Sequence, residues 1–267
     1  MDMQISASFK KEMLAFLRTK KLLILICVFI GTALLYPLLI KMMSSMMELM
    51  PEDIGVSAQF AESVSNGVYL AVSSLQGVGI IVFLLVINSF AGGEQKRRSI
   101  IIPNSSGLRA VGYLLPKFII YPLSVFFMAV LGGMAAWGIS LTLFDVHDLG
   151  ADAVLLSSVL TGVHLMFYTC LHLTIGTATG QAGMSAAICI GVSMLLPTIF
   201  MGAGIEAAYN PFALDIMSLA VIIAGKGNAE IIPTILIALG IMATLYFLAL
   251  FAQNARKIDN MGNEIAL

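Results

Sequence analysis

The chain has 267 residues, of which 59% are hydrophobic and 11% charged, and its formal net charge is −1. So apolar a composition excludes an ordinary water-soluble domain, and no nucleic-acid partner is expected. Its three cysteines, Cys27, Cys170 and Cys189, show no CxxC or Cys/His spacing, so neither a disulfide framework nor a metal site is expected.

At the start of the chain, Ile5, Phe9, Met13, Leu14, Phe16 and Leu17 recur at helical spacing, while Lys10, Lys11, Glu12, Arg18 and Lys20 take the other positions. This predicts an amphipathic helix over 1–21, lying on a membrane surface. A bilayer core about 30 Å thick needs about 20 apolar residues in a helix. Six segments qualify: Leu22–Ile40, Val68–Ala91, Phe118–Phe144, Ala153–Ala178, Ala182–Ile205 and Ile231–Ala252. None contains aspartate, glutamate, lysine or arginine. The first is long enough to span and is not followed by a small-residue cleavage site, so it reads as a span rather than a removed signal. Between the fourth and fifth, only Thr179–Gly183 signals a turn.

Between the second and third spans lies a basic loop, 92–117, with Lys96, Arg97, Arg98, Arg109 and Lys117; Pro103 to Gly107 breaks it, and Leu108–Leu114 starts a short surface helix. Before the last span, the loop 206–230 contains Phe212–Gly225, too short to cross and too apolar for water. Backbone at membrane depth must be hydrogen-bonded, which predicts one or two short helices dipping in from outside. Twelve of the 14 lysines and arginines fall in the N-terminal segment, the second loop and the C-terminal tail. Positively charged short loops stay in the cytoplasm, so both termini are expected there.

Within the spans, His164, Tyr168 and His172 share one helical face with Thr161, Thr169 and Gly176. They line either a substrate route or a set of interhelical hydrogen bonds. Gln76, Asn88 and Pro197 are further departures from plain apolar helix, and Gly176 with Gly180 has the spacing for close helix approach. Gly202, Gly204 and Ala207 imitate a dinucleotide fingerprint but follow a membrane helix, and Asn104 to Ser106 imitates a glycosylation acceptor on the cytoplasmic side. No GxxxxGK[ST], HExxH or comparable catalytic pattern occurs, so the chain reads as no enzyme, without catalytic residues, metal ligands or a cofactor of its own.

This arrangement resembles, over nearly the whole chain, the type-2 family of ATP-binding-cassette (ABC) permeases, the membrane subunits of exporters. In the second loop Glu94 matches the family's acid, Ser99 and the two isoleucines after it stand where Gly-Thr-Leu is common, Pro103 and Arg109 fit the following positions, and Lys117 fits the lysine entering the third span. The resemblance implies an all-α integral membrane protein, a single permease domain over 1–267, in the cell membrane of a bacterium. It implies a coupling helix carrying Glu94, Lys96, Arg97, Arg98, Ser99, Pro103 and Arg109, seated in two separate ATPase subunits that hold ATP and Mg, and a second permease copy or homologue. It further implies a candidate substrate path at Gln76, Asn88, His164, Tyr168 and His172, and an external gate at Phe212, Asp215 and Met217. The cargo would be a drug, peptide, lipid or similar amphiphile. The alternatives are a stand-alone membrane immunity or sensor protein and, further off, a six-span intramembrane enzyme.

Overall fold

A computed structural model describes residues 2–47, 62–88, 90, 109–204 and 209–265. The regular structure among them is helical: α1 (Asp2–Arg18), α2 (Lys20–Met47), α3 (Val64–Ser74), a π turn (Leu75–Gly79), α4 (Ile80–Asn88), α5 (Ala110–Leu143), α6 (Ala151–Thr179), α7 (Ala182–Gly202), α8 (Leu214–Ala224) and α9 (Ile231–Ile265). Six helical stretches are long and apolar enough to cross a membrane, with α3, the π turn and α4 counting as one. The protein is therefore an all-α membrane protein.

Polar side chains fix where the helices begin and stop. The Ser63 hydroxyl accepts from the Asn66 amide at 3.3 Å and so caps α3. Gly180 ends α6 with φ 66°, its amide donating to the Gly176 carbonyl at 2.9 Å. A left-handed residue suits glycine, so Gly180 serves the turn. Close helix approaches are found at three further glycines. A Cβ added to Gly133 would collide with the Ser158 side chain, one on Gly162 would meet Phe126 Cδ2 at 2.6 Å, and one on Gly67 would collide with Ser140. Packing of this kind joins helices in lipid, where the hydrophobic effect between them is absent.

Helix α6 lies at the centre, against α5, α7, α8 and α9. Of its most apolar stretch 72% is buried, against 17% for α7 and for α9, whose leucines and phenylalanines remain largely exposed as lipid-facing surfaces are. Glu62, Asp145, Asp148, Asp152 and Glu230 gather at one end of the bundle, whereas Arg18, Lys20, Lys21, Arg109 and Lys117 stand at the other.

The acidic end is laced together by short contacts. The Val64 amide donates to the Val146 carbonyl at 3.1 Å, Trp137 Nε1 donates to the Leu149 carbonyl at 3.1 Å, and Lys41 pairs with Glu62 at 2.5 Å. The hydrogen bond from Lys41 holds the Glu62 carboxyl below its ordinary value. Ser65 donates its amide and hydroxyl to Asp148 at 2.9 and 2.5 Å. Partial burial pushes the Asp148 carboxyl up, but these bonds at the start of α3 outweigh it and hold the group below the usual carboxylate range.

Several bounds differ from the sequence reading: α2 runs to Met47, beyond the expected Ile40, and α9 to Ile265, beyond Ala252. Helix α5 begins at Ala110, eight residues before the expected Phe118, so the segment expected as a separate surface helix is the first turn of the third span and Lys117 lies inside that span. On α1, Glu12 does not share the outer polar face: it is 3% exposed and sits one turn before buried Phe16, while Met13, Leu14 and Leu17 point outward. The partners that draw Glu12 inward are on α5.

Candidate functional site

At the basic end, Tyr121 of α5 donates its hydroxyl to Glu12 Oε2 at 2.7 Å, and Lys117 Nζ stands 3.9 Å from Glu12 Oε1. Lys117 also donates to the Phe90 carbonyl at 3.2 Å, and its Nζ lies 4.6 Å from the centre of the Tyr113 ring. The Phe90 ring stacks on Tyr121 at 4.5 Å, and Lys21 Nζ sits 4.1 Å above the same Phe90 ring. Phe16 closes the cluster edge-on to Tyr121 at 5.7 Å. Burying an ammonium and a carboxylate is costly unless they pair and their remaining hydrogen-bonding groups find partners. Here both conditions are met, and the pair ties α1 to the two roots of the basic loop, Phe90 and the first turns of α5. Arg109 is the N-cap residue of α5. Glu94, Lys96, Arg97, Arg98, Ser99 and Pro103 lie outside the described residues.

The second feature is a cavity of about 480 Å³ within the helix layer, between α3, the π turn, α4, α6, α7 and α8. A π turn is a rare local widening, often found at functional positions. Here it carries Gln76 and Gly77 into the cavity wall. Gln76 Nε2 donates to Thr161 Oγ1 at 3.0 Å, to the Asp215 carbonyl at 3.4 Å and to Ser218 Oγ. Because a backbone carbonyl can only accept, these contacts fix the amide's orientation. They also pin the N-terminus of α8 to the middle of the neighbouring helices. At 1.5 Å per residue, Gln76 is about 18 Å along its helix from Val64, and His164 about 20 Å along α6 from Ala151.

The 3₁₀ turn Pro211–Ala213 delivers α8 to that depth. Asn210 accepts the Phe212 amide at 3.0 Å, and the buried Phe212 ring meets Phe167 at 5.4 Å and Phe200 at 5.1 Å. Met217 is buried one turn later, and α8 ends at Gly225 with φ 68°. Its first turn contains Asp215, whose Oδ1 accepts the Ile216 amide at 2.7 Å, a favourable place for a negative charge.

The structure thus brings Gln76, His164 and Asp215 to one cavity, although sequence had split them between path and gate. The imidazole of His164 is buried, and its Nδ1 has no partner among the described residues. Tyr168 stacks edge-on to it at 5.0 Å without lining the cavity. His172 lies two turns from His164, where Nδ1 meets the Ser185 hydroxyl of α7 at 3.0 Å. This contact joins α6 to α7, while His172 Nε2 has no partner among the described residues. Asn88 is at the far end of α4, also away from the cavity. Sequence reading missed Ser73, Gly77 and Ser193 in the cavity wall, since a serine or glycine in an apolar span is too common to stand out.

Among the described residues, no group of three His, Cys, Asp or Glu side chains is placed to hold a metal ion. No protein-family model matches the chain, and no curated protein matches its sequence.

Proposed function

We propose that this chain is the membrane-spanning permease subunit of an ABC exporter. Both termini face the cytoplasm, a second permease completes the conduit, and two separate ATPase subunits binding ATP and Mg drive it. The observation that carries this reading is the buried junction of Glu12, Lys117, Tyr121 and Phe90. A partner gripping the loop between α4 and α5 pulls on both of its roots. Because Phe90 and Lys117 are bonded to each other and through Glu12 to α1, the pull is shared by three helices.

Movement of α4 and the π turn then acts on Gln76, which holds the tip of α8. In this reading α8 is the external re-entrant element, and its Phe212 and Met217 close the outer end of the path. Charge-assisted hydrogen bonds between the basic loop and an ATPase groove supply the grip.

The test is affinity purification of the tagged chain from its native membrane. ATPase subunits are expected to co-purify, and Glu94→Ala with Arg98→Ala is expected to reduce their recovery at least tenfold while the permease remains inserted. Unchanged recovery, or no ATPase with the unaltered chain, overturns the reading.

A further inference from the structure

The cavity beneath α8 has a chemical bias. Among the described residues, its only charged lining side chain is Asp215, and none that lines it is a lysine or arginine. Gln76 spends its amide hydrogens on Thr161, Ser218 and the Asp215 backbone, which leaves its carbonyl oxygen as the group without a hydrogen to give. Ser193 directs its hydroxyl hydrogen to the Ile190 carbonyl at 2.8 Å and keeps its oxygen lone pairs. His164, at 4% exposure, has Nδ1 without a partner among the described residues, and this nitrogen accepts a hydrogen bond when Nε2 carries the proton. The polar wall therefore offers acceptors and one carboxylate, and lacks a cation to neutralise it.

The mouth is the opposite in character. Val78 and Met194 rim it, respectively 59% and 62% exposed on the apolar side of the bundle, and Ile80, Ile81 and Leu219 continue the wall inward. An intramembrane ionisable group is expensive and by default marks a functional position. The volume of about 480 Å³ falls within the range of roughly 300–1,000 Å³ usual for small-molecule sites.

We infer that this cavity binds the primary ammonium head of a single-chain amphiphile, entering sideways from the lipid, with its tail lying along Val78 and Met194. The positive charge of the head matches the Asp215 carboxylate, with the Gln76 and His164 side chains standing in the same wall. A sulfate or phosphate head is repelled by the same carboxylate. The binding step stands on the cavity alone. That this amphiphile is also the exported substrate rests on the permease reading.

Titration of the full chain, purified without any ATPase in phosphatidylcholine nanodiscs, separates the two ideas. Dodecylamine at pH 7 is expected to bind saturably, one per chain, and neither dodecanol nor dodecyl sulfate to displace it. Asp215→Asn, which keeps an oxygen for the Ile216 amide, is expected to weaken binding at least tenfold. Gly77→Leu adds bulk to the cavity wall, at a position where an added Cβ meets nothing within 4 Å, and is expected to abolish binding. Equal binding of dodecanol and dodecylamine, or dodecylamine binding unaltered by Gly77→Leu, overturns the site even if Asp215→Asn does not fold. Binding as expected without ATP-driven export in the assembled complex would leave the site standing and remove the permease reading.

Discussion

Residue by residue, the stability of the basic end turns on one carboxylate. Glu12 is enclosed, and its partners are the Tyr121 hydroxyl and two ammonium groups, of which Lys117 is buried and Lys11 is 57% exposed. Removing one member of a buried pair costs about 3–5 kcal/mol because the other charge is stranded. Lys117→Met should fall near the lower figure, about 3 kcal/mol, since Lys11 remains 3.7 Å from Glu12. Glu12→Gln with Lys117→Met should recover most of that loss, as no bare charge is left. Thermal unfolding of the detergent-purified chain reads both, and a Lys117→Met protein that melts with the unaltered one contradicts the pairing. Sequence did not reveal Glu12, because helical spacing groups it with the neighbouring lysines. Its inward face is set by Tyr121, a residue 109 positions away in the chain.

Between elements, small residues decide how close the helices come. Gly133 of α5 and Ser158 of α6 meet where a Cβ has no room, so Gly133→Ala should destabilise the chain by about 1–3 kcal/mol through overpacking. Ser158→Gly in the same chain should restore part of the loss, measured by the same unfolding. An additive pair of effects would mean that the two residues do not share one contact. The sequence pattern drew attention to Gly176 and Gly180, which have the familiar spacing, and passed over Gly67, Gly133 and Gly162, where an added Cβ would crowd a neighbouring helix. Spacing along one helix says which residues share a face; it does not say which neighbour that face will meet. Most segment starts were legible to within a few residues, but α2 and α9 run past their expected ends into polar sequence, and at α5 Pro116 and the basic surroundings of Lys117 imitate a loop although the helix runs through them.

For the whole molecule, the six spans were legible because a bilayer imposes a minimum apolar length that few other structures need. The cavity was not, since its wall runs from Ser73 to Leu219 and exists only when six elements meet. Sidedness follows from the lysines and arginines, and is tested on a background with Cys27, Cys170 and Cys189 replaced by alanine. Single cysteines at Ile54 and Asp145 should react with an impermeant thiol reagent in intact cells, whereas those at Asn104 and Asn260 should react only after lysis. Labelling at Asn104 in intact cells with none at Ile54 would invert the orientation.

The enclosure of α6 carries a consequence for how the protein is made. It has the lowest mean hydropathy of the six spans, 1.7, and its hydroxyls and imidazoles are sheltered by helices on all sides. Three of those shelters, α7, α8 and α9, are synthesised after it. When α6 leaves the insertion machinery, α5 is the neighbour already able to receive it. The close fits at Gly133 and Gly162 therefore make α5 and α6 a hairpin that partitions into lipid as one body, with its polar seam turned inward before the rest of the chain has emerged from the ribosome.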